Sequence, residues 1–181
     1  MAAFEELVSR HERRIYAFVA QSCRNGMDAA EITQETFVKA YQAIAQFNPK
    51  RMFAPWLFTI ARRKCVDNFR ATPATTDHNA LPELSDAHDP AEILASHEER
   101  QQLWDFARRI LPDSQFHALW LRYIEDLSVA EIARVLRRPQ AYIKVLLFRA
   151  RKTLASRLEP ARNISHSSTK MISPVYEILV R

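Results

Sequence analysis

A single glycine, Gly26, stands in a chain of 181 residues. Average usage near 7% would supply about thirteen. Glycine provides the positive-φ positions of tight hairpins and the close backbone approach of phosphate-binding loops. With one glycine there is no dinucleotide fingerprint, no P-loop and no G-x-S-x-G elbow. Hairpin-rich all-β folds are equally disfavoured. The expected fold class is all-α.

Apolar periodicity supplies the helices. Phe4, Leu7, Val8, His11, Ile15, Phe18 and Val19 recur at helical spacing and mark a first amphipathic helix. Asp28-Ala-Ala-Glu31 has capping-box spacing and predicts a second helix to about Ala45, with Ile32, Val38, Tyr41 and Ile44 on one side. A third is expected over roughly Pro55 to Arg70, with Trp56, Leu57, Ile60 and Phe69 inward. Asp89-Pro-Ala-Glu92 opens a fourth helix running to about Leu111, and Pro112 begins the next. Ser128-Val-Ala-Glu131 is an S-x-x-E capping box opening a short helix, Val129–Leu136. After a break at Arg137-Arg138-Pro139 comes a basic helix from Gln140 to about Leu158. Short helix, tight break and longer basic helix form the helix-turn-helix layout.

Charge divides the chain. Residues 1–72 carry net +4, residues 73–100 net −6 and residues 101–159 net +5, within an overall +5. We therefore expect two small helical domains, 1–71 and 91–159, joined by a flexible acidic linker over 72–90. Residues 160–181 form an extension of unknown role, with Val175–Val180 apolar enough to dock. Basic blocks of this kind suit nucleic acid.

Other classes are weak. Cys23 and Cys65 are expected as reduced, partly buried thiols, and neither C-x-x-C nor H-E-x-x-H occurs, so no metal site is expected. His11, His97 and His117 lack a ligand or nucleophile at helical spacing, so the chain is not expected to be an enzyme. The first ten residues hold Glu5, Glu6 and Arg10, unlike a signal peptide, and no apolar run reaches membrane-spanning length. No membrane insertion and a cytoplasmic location follow as expectations.

Two motif sets resemble a known family. Asp28-Ala-Ala-Glu-Ile-Thr-Gln-Glu-Thr-Phe37, then Phe47 and Phe53-Ala-Pro-Trp-Leu-Phe-Thr-Ile-Ala-Arg62, resemble region 2 of bacterial RNA polymerase sigma factors. Leu111-Pro112, Leu121-Arg-Tyr-Ile-Glu-Asp-Leu-Ser-Val-Ala-Glu-Ile-Ala133, Lys144 and Phe148-Arg-Ala-Arg151 resemble region 4. The short chain resembles the extracytoplasmic-function (ECF) group of the sigma-70 family.

The resemblance implies a sigma factor that binds core RNA polymerase, recognises −35 and −10 promoter elements and promotes melting, without a cofactor. It places core-polymerase binding on Glu31, Gln34 and Glu35, with Phe37 as neighbouring support. It places −10 DNA binding on Asn48, Lys50, Arg51, Met52, Phe53, Arg62, Arg63 and Lys64. Melted DNA needs cations for phosphate and an apolar pocket for an unstacked base, and this set offers both. Taken singly, Phe47, Phe53 and Trp56 read as core anchors before pocket walls. The −35 set is Arg137, Arg138, Gln140, Tyr142, Lys144, Phe148 and Arg149, with Phe148 either on a thymine methyl or in the core. An anti-sigma factor is a further expected partner, and the acidic linker suits a basic channel of the polymerase. The family's turn glycine is Arg137 here, its early recognition-helix glycine is Ala141, and Val145 and Leu146 are expected to remove polar readers from one edge. A helix-turn-helix regulator acting without polymerase, and a degenerate sigma that only holds polymerase, are the alternative readings.

Overall fold

The computed structural model describes residues 2–22, 26–71 and 92–162, and no strand occurs among them. The helices are α1 (Ala2–Ser22), α2 (Gly26–Ala43), α3 (Phe53–Ala71), α4 (Glu92–Ile110), α5 (Asp113–Tyr123), α6 (Val129–Leu136) and α7 (Gln140–Arg162), with one 3-10 turn at Ile44–Gln46. Cys23, the 72–90 linker, the start signal at Asp89 and the extension beyond Arg162 lie outside the described residues. Contacts gather α1, α2, α3 and α6 into one compact unit and α4, α5 and α7 into another.

In the first unit the core is made by Ile15, Phe18 and Val19 of α1, Ile32, Thr36, Phe37 and Ala40 of α2, and Leu57, Phe58, Ala61 and Cys65 of α3. Phe18 meets Phe58 edge to face at 5.3 Å, joining α1 to α3. The Thr36 hydroxyl donates to the Ile32 carbonyl at 2.7 Å, which makes a polar residue tolerable at zero exposure. The short α6 adds Ile132, Ala133 and Val135 and packs on α3. The expected domain 91–159 includes α6, whereas contacts group α6 with α3.

Three expectations on these helices need correction. First, α2 begins at Gly26, so Asp28 lies in the first turn rather than at the cap, where its carboxylate still complements the helix dipole. Second, Val38, Tyr41 and Ile44 do not share a side with buried Ile32; they are exposed by 51%, 51% and 37%. At about 100° per residue, nine positions turn Tyr41 roughly 180° away from Ile32. Third, Phe69 is 54% exposed, because it lies beyond Cys65, the last α3 residue described as buried.

The second unit is centred on aromatic rings. Trp104 of α4 meets Phe116 and Trp120 of α5 at 6.1 and 5.2 Å, and those two rings lie 5.9 Å apart. Arg108 spans the α4–α5 corner, with its guanidinium over Phe116 and a 2.6 Å contact to Asp113. From α7 come Ile143, Leu146, Leu147, Ala150 and Leu154, all buried at helical spacing. Leu146 is thus a core residue, 3% exposed, and not part of a reading edge. Of the two apolar departures, Val145 alone alters the exposed face.

Candidate nucleic-acid interface

The α2 helix separates its groups by angle. Glu31, Gln34 and Glu35 are exposed, while Ile32, Thr33, Thr36 and Phe37 between and beside them are buried. Phe37 anchors the helix and leaves the acidic and amide groups outward. Glu35 is also joined to α3: its Oε2 lies 2.7 Å from Lys64 Nζ.

Between the 3-10 turn and α3 the chain runs through Phe47–Met52 without a positive φ. Two contacts shape it. The Asn48 carbonyl accepts from the Arg51 amide at 2.9 Å, and Asn48 Oδ1 accepts from the Lys50 amide at 3.0 Å. Asn48 thus spends its side-chain oxygen on the turn. Below, Phe47, Phe53 and Trp56 form a triangle of rings at 5.1–5.5 Å. His11 of α1 closes the base of this cluster, 5.4 Å from Phe53. Burial pushes the His11 pKa below the ordinary 6.5, and the Arg14 and Arg10 charges push the same way. The shift favours the neutral ring, which packs against Phe53. Met52 projects outward, 67% exposed, beside exposed Lys50 and Arg51. The loop is an apolar floor with cations at its rim.

The next cations are differently placed. Arg62 and Lys64 are half-buried and Arg63 is exposed, 3.9 Å from Asp67. Lys64 faces Glu35.

The α6–α7 junction is built by backbone geometry. Ser128 accepts from the Glu131 amide, and Glu131 in turn accepts from the Ser128 amide at 2.8 Å, the reciprocal capping box that the sequence predicts. At the other end Arg137 adopts the left-handed conformation, φ 52° and ψ 50°, a geometry that favours glycine. The Arg138 amide donates to the Ala133 carbonyl at 3.0 Å, closing a Schellman-type end. Pro139 follows and α7 starts at Gln140. Along α7, Gln140, Ala141, Tyr142, Lys144, Val145, Phe148 and Arg149 are exposed. Phe148 is 60% exposed, which removes it from the core. From Ile132 to Leu158 the chain holds eight Arg or Lys and no acid.

The sequence reading missed one surface. Between α1 and α2 lies a groove of about 1010 Å³, walled by Phe4, Val8, Tyr16, Phe37, Val38 and Tyr41. Gln34 sits on its border, and Thr33 Oγ1 is buried in its wall without a hydrogen-bond partner. The signal was available: α2 carries more apolar residues than one inward face can hold. No cluster of three metal-ligating side chains occurs among the described residues.

The region 2 family model of sigma-70 matches residues 7–73, and the region 4 model matches residues 109–154. Together they cover more than half of the chain, in family order. The chain belongs to the sigma-70 family, in the ECF group. The ECF sigma factor BldN of Streptomyces coelicolor is 32% identical over 84% of this chain, which spans 59% of that protein. The ECF sigma-E factor of Escherichia coli K12 is 28% identical, with 87% of each chain covered. Two solved structures share the fold. RpoE of Bartonella quintana, in complex with the anti-sigma factor NepR, has a TM-score of 0.69 at 20% identity, over 88% of this chain and 98% of that one. CnrH, in complex with the cytosolic domain of CnrY, scores 0.61 at 23% identity, over 88% of this chain and 89% of that one. No described helix of this sigma chain is long and apolar enough to cross a membrane.

Proposed function

We propose that this chain is a promoter-recognition subunit that docks on core RNA polymerase through α2, captures a melted −10 strand at the Phe47–Phe53 loop, and reads a −35 element with α7. The observation that supports it best is the surface state of the matched residues. Glu31, Gln34, Glu35, Asn48, Lys50, Arg51, Met52, Arg137, Arg138, Gln140, Tyr142, Lys144, Phe148 and Arg149 are all exposed, while Ile32 and Phe37 on α2 and Ile143, Leu146 and Leu147 on α7 are buried among them. Packing accounts for the neighbours and leaves the exposed set for partners.

The work is done by binding, with no catalysis and no cofactor. On α2, carboxylates and an amide pair with a basic polymerase surface and set register and on-rate. At the loop, a base leaving the duplex exchanges its stacking for the apolar floor beside Met52 and Phe53. Stacking on such a platform contributes about 1–3 kcal/mol per base, which offsets much of the unpairing cost. Lys50, Arg51, Arg62, Arg63 and Lys64 are the cations for the strand's phosphates. On α7, Lys144 and Arg149 contact base edges, and Arg137, Arg138 and Gln140 hold phosphates. The chain acts in the cytoplasm. An anti-sigma factor is its second protein partner, and an amphipathic helix of such a partner suits the apolar α1–α2 groove.

The test is binding of the purified chain to core RNA polymerase beside its Glu35→Lys variant, with permanganate footprinting of a promoter for unpaired thymines. Tight binding weakened by the reversal, with thymines opened by the wild-type complex, is the expected result. A folded chain that shifts duplex DNA but ignores polymerase overturns the reading in favour of a free-standing regulator.

A further inference from the structure

Two residues that the sequence assigns to different partners touch each other. Glu35 belongs to the polymerase-facing set on α2, and Lys64 to the strand-tracking set on α3. They are 29 positions apart, and Lys64 Nζ lies 2.7 Å from Glu35 Oε2. By contrast the Arg63–Asp67 pair is longer, 3.9 Å, and stays within α3. Lys64 is therefore the cation whose counter-charge comes from the helix offered to polymerase. Both side chains keep solvent access, 49% for Glu35 and 32% for Lys64, so replacing either partner costs little stability.

We propose that this ion pair couples polymerase docking to single-strand capture, resting on the sigma reading above. In the free chain the carboxylate neutralises Lys64, so a passing DNA strand gains little by meeting it. When a basic polymerase surface takes up the Glu35 carboxylate, the ammonium of Lys64 loses its counter-charge. A strand phosphate is then the anion that replaces it, alongside the charges of Lys50, Arg51 and Arg63. Thermodynamic linkage makes the effect reciprocal: strand binding at Lys64 releases Glu35 and strengthens docking by the same factor. An exposed pair of this kind supports a coupling of about two- to fivefold. Lys64 acts here as a positioning residue for Glu35 as well as a phosphate contact.

Salt dependence reads this directly, because each phosphate neutralised on a single strand contributes about 0.7 to the slope of log affinity against log salt. The probe is an oligothymidylate strand, bound by the free full-length chain and by its complex with core polymerase. Lys64→Met is expected to lower the slope of the complex by about 0.7 and that of the free chain by a clearly smaller amount. Glu35→Gln is expected to steepen the free chain's slope by about 0.7, and Glu35→Gln with Lys64→Met together to restore it. A pair that is merely structural shifts free chain and complex alike. Equal slope changes in both states, or a Glu35→Gln free chain with the wild-type slope, overturn the coupling while leaving the sigma reading intact. Absence of core binding by the wild-type chain overturns the sigma reading, and the coupling with it.

Discussion

The two segments proposed to meet DNA are held by opposite means. The Phe47–Met52 loop is shaped by side chains: a triangle of Phe47, Phe53 and Trp56 beneath it, His11 behind Phe53, and Asn48 closing its own turn. The Arg137–Pro139 turn is shaped by backbone: a capping box before α6, a left-handed residue after it, and a proline before α7. The difference suits the tasks. A flipped base needs an apolar floor that aromatic rings provide, whereas a helix entering a groove needs a fixed entry angle. Side-chain packing makes a surface, and backbone geometry makes a direction.

This contrast can be broken from the loop side first. Phe47→Ala removes two ring contacts, each worth about 0.5–1.5 kcal/mol beyond area, so a loss near 1–3 kcal/mol is expected. Chemical denaturation measures it, and hydrogen exchange should show faster exchange at the Lys50 and Arg51 amides. Unchanged protection there would mean that the rings do not hold the loop. Next in size, Ser128→Ala deletes one arm of the capping box and should cost about 1 kcal/mol. It should leave exchange in the loop untouched, and a loop response would contradict the separation.

A smaller change of opposite sign tests the turn. Arg137→Gly relieves a non-glycine residue at φ 52°. Part of that gain is returned through the greater freedom of the unfolded chain, so we expect a net rise of about 0.5–1 kcal/mol. A fall in melting temperature would show that the arginine side chain stabilises more than its backbone costs.

The smallest effect separates the regions by pH. The folded pKa of His11 lies below the ordinary 6.5, so between the two values the unfolded chain binds more protons. Stability therefore rises with pH in that window and is lost as pH falls below about 6.5. Its neighbours Arg10 and Arg14 act in the same direction. His11→Phe should flatten the pH dependence of the melting temperature, and an unchanged profile would assign it elsewhere.

Much of this was legible because it depends on local chemistry. Val129–Leu136 is bounded as expected, since Ser128 and Glu131 satisfy each other's backbone within one turn. The scarcity of glycine was equally direct: the turns before α3 and α7 are built with Asn48, Arg137 and Pro139 instead. Azimuth on α2 was harder, because several apolar residues do not share a face merely by recurring, and Val38 and Tyr41 wall a groove that only α1 completes. Leu146 illustrates the same limit on α7. A motif position suggested an edge, but burial against α5 decides which apolar residues turn inward.

By itself, then, the sequence determined the helical class, the order of the helices, the capping at α6, and the residue types available to the proposed partners. Those features are set by contacts within a few residues or by charge, which needs no partner to be read. Only the tertiary structure decided that Glu35 meets Lys64, that Phe148 stays on the surface while Leu146 is buried, and that His11 stands behind the loop. Each depends on how far one helix is rotated and translated against another, and packing among distant residues alone sets that.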